Sequence, residues 1–388
     1  IINPYNSHLV AWINNGNAFF SEGQILESSR FHLYTKLGDL DSDGDLDMIN
    51  IGTFQSDPVI WENQDGIFGE AIPVVSGINA TSDVGILDIN SDGFNDVILS
   101  RNPTSPESNP SSGVFLNGLA GVASFSELGP GSIRPVSFLG SFRVNYGDFN
   151  NDGIVDFLSD VNSLGEYPRV FSGEGITSLG GGFNASDLNI IREDGLGVSR
   201  IQGKPCIADF NNDGYDDFVG NVSSDGVFSG VRVFVYSPNG EGCIGSNTCL
   251  ASTGQDFGID GGNGGNDVVE FMCEDMNGDG LVDFIVDEPR GPGVPESLYV
   301  FLNQGDGTFD TTSSVVLTRA EFGGVADVAV GDLDGDGDND FFLAGGASTP
   351  HRVLLNNNPP IAVNDTGYEI SEDNLLVVSA TEGVLVND

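Results

Sequence analysis

The chain has 388 residues, 39% apolar and 18% charged, with 55 Gly and 17 Pro. That composition excludes a charge-rich disordered chain and argues against a helical protein. Asp and Glu number 58 against 13 Lys and Arg, a formal charge of −45, which removes the basic footprint that nucleic-acid phosphate or an anionic membrane surface requires and suggests bound cations or a salty habitat.

Residue 1 is isoleucine, and no charged segment followed by an apolar stretch opens the chain. The expectation is a mature product or a fragment, with any export signal outside it. No apolar run approaches the ~20 residues of a membrane helix, so no membrane insertion is expected within the chain. Residues 9–20, LVAWINNGNAFF, read as a hairpin: an apolar run, a polar turn, then Phe. Next comes the first copy of a nine-residue pattern, D-x-[DN]-x-[DN]-G-x-x-D. It is DLDSDGDLD from Asp39, then DINSDGFND from Asp88, DFNNDGIVD from Asp148 and DFNNDGYDD from Asp209. DMNGDGLVD from Asp275 and DLDGDGDND from Asp332 complete six copies, at intervals of 49, 60, 61, 66 and 57 residues.

The chemistry of a hard cation explains the pattern. Ca²⁺ takes six to eight oxygens at about 2.3–2.6 Å from carboxylates, amides and carbonyls. Positions 1, 3 and 5 of a tight loop converge, Gly at position 6 allows the turn, position 7 offers its carbonyl and position 9 closes the shell. The expected ligands are Asp39, Asp41, Asp43, Asp45 and Asp47 in the first loop, and Asp88, Asn90, Asp92, Phe94 and Asp96 in the second. The third and fourth supply Asp148, Asn150, Asp152, Ile154 and Asp156, then Asp209, Asn211, Asp213, Tyr215 and Asp217. The last two supply Asp275, Asn277, Asp279, Leu281 and Asp283, then Asp332, Asp334, Asp336, Asp338 and Asp340. About six structural calcium ions are expected; without them the carboxylates of each loop repel one another.

Each loop is flanked by apolar runs of four to six residues, such as VGIL (84–87) before and VILS (97–100) after, which read as strands. A hairpin follows about 20–25 residues later, as in VIWENQDGIF (59–68) and LYVFLNQGDGTF (298–309). The unit is strand A, calcium loop, strand B, loop, strand C, turn, strand D. Four strands in each 50–60 residues make a β-propeller blade. The expected fold is all-β: a calcium-binding propeller over residues 1–358 with seven blades, the first incomplete, or six with the N-terminal segment closing the ring.

DLDSDGDLDMINIG (39–52) followed by VIWENQDGIF resembles the FG-GAP/VCBS-type repeats of bacterial secreted proteins, whose calcium loops also occur in integrin α-chain propellers. The resemblance implies an exported or cell-surface propeller, often in adhesion or carbohydrate recognition. Such repeats also occur within polysaccharide lyases. Residues 359–388 are similar to the opening strands of bacterial cadherin-like or immunoglobulin-like modules, which implies a truncated further module of the same polypeptide; the alternative is a C-terminal tail.

Cys243 and Cys249 share a Gly/Ser/Asn-rich insertion; either a loop disulfide, implying an oxidising compartment, or two free thiols fits. Cys206 and Cys273, in apolar stretches, are expected as small buried hydrophobes. The topology sends the long loops to the face opposite the calcium loops. Arg101, Tyr167, Arg169, Arg290, His351 and Arg352 fall there and are candidates to contact an acidic glycan or a protein ligand at a cell surface. The function expected is therefore that of a calcium-binding extracellular propeller acting as an adhesion or carbohydrate/protein recognition module of a larger secreted or surface protein. The alternatives are a lyase, with His32, His351 and Tyr167 as the available bases, and a structural spacer.

Overall fold

The computed structural model describes residues 2–5, 8–14, 19–27, 32–52, 57–74, 81–101, 112–117, 125–127, 144–158, 170–172, 184–185, 189–191, 200–224, 227–237, 249–255, 257, 259, 270–288, 297–318, 325–345 and 351–356. Every regular element among them is a β-strand. Among the described residues, no helix is long and apolar enough to cross a membrane.

The first sheet joins β1 (Ile2–Tyr5), β2 (His8–Asn14) and β3 (Phe20–Glu27). The first four-stranded blade orders β4 (His32–Gly38), β5 (Asp47–Gly52), β6 (Val59–Trp61) and β9 (Ile72–Pro73); a small hairpin of β7 (Asn63–Gln64) and β8 (Ile67–Phe68) lies between β6 and β9 in the chain. The second is β10 (Thr81–Leu87), β11 (Asp96–Arg101), β12 (Ser112–Asn117) and β13 (Phe125–Glu127). The third is β14 (Tyr146–Gly147), β15 (Asp156–Leu158), β16 (Val170–Ser172) and β17 (Asn184–Ala185).

A strand β18 (Asn189–Ile191) pairs in parallel with the outer strand of the fourth blade, which runs β19 (Arg200–Ala208), β20 (Asp217–Ser224), β21 (Val227–Ser237), β22 (Cys249–Ser252). The fifth is β23 (Glu270–Glu274), β24 (Asp283–Glu288), β25 (Ser297–Asn303) and β26 (Phe309–Thr318). A last three-stranded sheet holds β27 (Val325–Gly331), β28 (Asp340–Gly345) and β29 (Arg352–Leu354). Within each blade the neighbours are antiparallel, and a single parallel pairing, Lys204 to Glu270, joins the inner strands of the fourth and fifth.

The architecture is a β-propeller. The described residues carry five four-stranded blades, which corrects the expected seven and the alternative six. The repeat arithmetic counted the units at both ends as blades, whereas each shows three strands here. The expectation for residues 359–388 lies outside the described residues.

Face-to-face packing of successive sheets explains why the second-strand runs are continuously apolar rather than alternating: both faces are covered. Met48–Ile51 and Val97–Ser100 are buried at every position. Leu40, Ile49 and Ile60 of the first blade pack on Val84, Val97 and Phe115 of the second. Phe149 and Leu158 pack on Phe218 and Phe234 across the next-but-one interface. Phe284 of the fifth blade sits among Phe257, Phe301 and Phe309. Truncating such a ring to alanine costs about 3–5 kcal/mol. Inner strands approach closely at glycine: a Cβ on Gly147 would lie 2.7 Å from Ile207 Cγ2 and 2.6 Å from Asp216 Oδ2.

The N-terminal sheet packs on two partners. Ala11 joins Met48, Val59, Trp61 and Phe68 of the first blade. Trp12 meets His351 edge-on at 6.3 Å, and Phe20 meets Phe342 at 5.4 Å, both on the last sheet's side. Gln24 pins the backbone of Phe68 with both amide atoms, at 2.7 and 2.9 Å. Gln255 makes the same two-point bond to Phe309 between the fourth and fifth blades.

Candidate functional site

All six nonapeptides connect the first two strands of their sheets, so they lie at equivalent positions in the fold. Their backbone is the same six times over. Gly at position 6 has φ between 81° and 97°, and position 4 is left-handed too: Ser42, Ser91, Asn151, Asn212, Gly278 and Gly335. Only Gly, Asn and small polar residues take that conformation cheaply, which is why position 4 is drawn from them. At Gly44, Gly93, Gly153, Gly280 and Gly337 an added Cβ would meet nothing within 4 Å, so conformation and not space requires the glycine.

The side chains wrap the turn inward. The position-6 N–H donates to the position-1 carboxylate in every loop, for example Gly93 to Asp88 and Gly280 to Asp275, both at 2.8 Å. Position 3 accepts the N–H of position 5, as in Asn211 from Asp213 at 3.0 Å. Position 5 accepts the N–H of position 7, as in Asp152 from Ile154 at 2.8 Å. Where position 3 is Asn90, Asn211 or Asn277, its amide also donates to the position-5 carboxylate.

The first and last loops have Asp at position 3 instead. There the ligand atoms converge: Asp39, Asp41 and Asp43 offer oxygens within 4.8 Å of one another, as do Asp332, Asp334 and Asp340. Asp39 Oδ1 is buried with no hydrogen-bond partner. Burial raises the Asp41 carboxyl to about 6, with Asp47 beside it adding to the rise. A convergent set of hard oxygen donors, one of them buried and unmatched, has the chemistry of a calcium or magnesium site. The donor set fits such an ion.

Position 9 ties two strands together in a way that the spacing did not reveal. Asp47, Asp96, Asp217 and Asp283 are fully buried at the head of the second strand. One oxygen accepts the N–H of position 2 in the same loop, and the other accepts an N–H at the end of the third strand. For Asp217 these are Phe210 at 3.1 Å and Tyr236 at 2.7 Å; for Asp283 they are Met276 at 2.9 Å and Asn303 at 2.7 Å. Asp340 does the same with Leu333 and Asn356. Burial raises Asp96 to about 7, Asp217 to about 8 and Asp283 to about 6, against the lowering effect of the two N–H donors.

Adjacent loops touch through position 8. Asn95 donates to the carbonyl of Asp39 at 2.9 Å, and Asn339 to that of Asp275 at 3.0 Å. Asp216 accepts the N–H of Asp148 at 2.6 Å. The third strand contributes asparagine: Asn117 Nδ2 donates to Leu40 O at 2.5 Å, Asn303 to Phe210 O at 3.0 Å and Asn356 to Met276 O at 2.7 Å. The sequence signal was present, as Asn recurs after four of the apolar runs, in ENQ, LNG, LNQ and LNN.

The opposite-face candidates are only partly within the described residues. Arg101 ends β11, and Arg352 is exposed at the start of β29. The His351 ring is half-buried and stacks on Phe342 at 5.8 Å as well as meeting Trp12. Tyr167, Arg169 and Arg290 lie outside the described residues, and the side chains of Arg101 and His32 are likewise not described.

Cys206 and Cys273 form a disulfide between β19 and β23, with Cα atoms 5.5 Å apart, a bond that their reading as small buried hydrophobes did not include, although Cys206 is buried in the core as expected. The parallel Lys204–Glu270 pairing brings these strands side by side, a juxtaposition no sequence spacing encodes. Cys249 is also disulfide-bonded; Cys243 lies outside the described residues.

A family model for the FG-GAP-like repeat matches residues 275–343. No curated protein matches the chain. Among solved structures, the rhamnogalacturonan lyase YesW is 13% identical at a TM-score of 0.38, covering 91% of this chain and 76% of its own. The exotype rhamnogalacturonan lyase YesX is 14% identical at 0.23, covering 88% and 56%.

Proposed function

We propose that the chain is a calcium-loaded recognition propeller of a secreted or cell-surface protein. One observation carries the reading: six equivalent loops turn their carboxylates inward, and the first holds a buried carboxylate oxygen, Asp39 Oδ1, with no partner. A cation at that point relieves the repulsion among Asp39, Asp41 and Asp43 and matches the orphaned oxygen. Asp88, Asp148, Asp209, Asp275 and Asp332, with their position-3, -5 and -9 partners, would hold the others. The ions act as structural clips, since each bridges the two ends of one strand connection. The Cys206–Cys273 disulfide supports an oxidising, extracellular setting.

The ligand proposed is an acidic glycan or a protein, met by the arginine-bearing face opposite the loops. A glycan screen with calcium and with chelator tests this role. Calcium-dependent binding of acidic glycans, weakened by Arg352→Ala, supports it. A folded, calcium-loaded protein that captures no glycan directs the reading to protein ligands.

A further inference from the structure

Five of the six loops are joined, in two groups, by runs of buried and part-buried hydrogen bonds. Asp217 accepts the N–H of Phe210, whose carbonyl accepts Asn303 Nδ2 of the next blade at 3.0 Å. The N–H of Asn303 donates to Asp283, which also accepts the N–H of Met276. The Met276 carbonyl accepts Asn356 Nδ2, and the N–H of Asn356 donates to Asp340. Asp340 accepts the N–H of Leu333, whose carbonyl accepts Asn14 Nδ2 of the N-terminal sheet at 2.8 Å. A shorter run links the first two loops: Asp47 to Leu40, Leu40 to Asn117, Asn117 to Asp96, at 2.7, 2.5 and 2.6 Å.

The run stops where an asparagine is missing. In the fourth blade the residue that caps position 9 is Tyr236, which stacks on Tyr215 at 4.4 Å. Its side chain has no amide to offer the preceding loop.

We infer that Asn117, Asn303 and Asn356 are positioning residues that make ion binding cooperative between neighbouring loops. The inference rests on the calcium reading above. An ion that orders one loop fixes the peptide at its position 2. That carbonyl orients the asparagine, and the asparagine's own N–H sets the position-9 carboxylate of the next loop. The next ion then binds a loop whose ordering cost is already reduced. The Asp209, Asp275 and Asp332 loops form one such group, and the Asp39 and Asp88 loops another.

Calorimetric titration of the whole chain with Ca²⁺ tests this, using Asp213→Ala, Asn303→Ala and the double variant. Asp213 is exposed, so its loss disables one loop without opening the core. With Asn303 present, Asp213→Ala is expected to remove one ion and to weaken binding of its group about fivefold or more. In the Asn303→Ala background it should remove one ion and change nothing else. A merely structural asparagine would lower stability equally with and without calcium and leave the site-to-site coupling intact. If Asp213→Ala subtracts one ion from the otherwise unchanged isotherm of a chain with Asn303, the coupling is refuted, and this arm stands even if Asn303→Ala fails to fold. A chain that binds no calcium at all refutes the underlying metal reading instead.

Discussion

Asn14 and Leu333 stand 319 positions apart and are joined by one hydrogen bond, Nδ2 to carbonyl oxygen at 2.8 Å. Leu333 is position 2 of the last loop, the same atom that Asn117, Asn303 and Asn356 seek in their preceding blades. The N-terminal sheet therefore docks on the last sheet by the bond that holds blade to blade elsewhere. With Gln24 pinning Phe68 on its other side, that sheet bridges the two ends of the array.

Asn14→Ala is expected to lower stability by about 1 kcal/mol, and Asn14→Asp by more, since a carboxylate then faces the Leu333 carbonyl. Denaturant unfolding midpoints, with equal slopes for the variants, check this. A midpoint unmoved by Asn14→Asp would contradict the docking.

Asp283→Asn is expected to be costlier. The buried carboxylate accepts two N–H groups, and an amide leaves one donor facing another donor. A loss of about 2–3 kcal/mol follows, read by the same unfolding curves.

Much of this was legible in the sequence, and the reasons are local. A tight turn wrapped by its own carboxylates needs fixed spacing, so the nonapeptides stand out, and strands covered on both faces need unbroken apolar runs. The left-handed turn at position 4 went unread, although Ser, Asn and Gly fill it. What was not legible depends on neighbours far along the chain. The Cys206–Cys273 bond needs two inner strands side by side. The blade number depends on how many strands each terminal unit contributes. The tie that Asp217 makes between strands depends on the end of a strand 19 residues on.

Stability should depend on pH in opposite senses with and without calcium. Burial lifts Asp41 and Asp283 to about 6, Asp96 to about 7 and Asp217 to about 8. A carboxyl whose folded pKa lies above its unfolded value holds more protons in the fold. Metal-free stability therefore falls as pH rises from about 4 to about 8, and is greatest at the acidic end. Calcium binds the ionised carboxylates, so its stabilising effect grows over the same range. Melting curves in chelator and in excess calcium across that window check both slopes; a metal-free protein that melts higher at pH 8 than at pH 5 would contradict the account.

Cys206→Ser is expected to lower stability by about 2–4 kcal/mol, because the bond closes a separation of 67 residues. Reduction of the native protein should produce the same fall in melting temperature, and reduction of the variant a smaller one. Equal curves before and after reduction would mean that the fourth and fifth blades hold together without it.

The most direct measurement is the number of calcium ions bound per chain, by equilibrium dialysis with metal analysis, together with the melting temperature of the loaded and stripped forms. The account predicts about six ions and a marked fall in melting temperature on stripping. A folded chain that retains no calcium, and whose melting curve is the same in chelator, would contradict it.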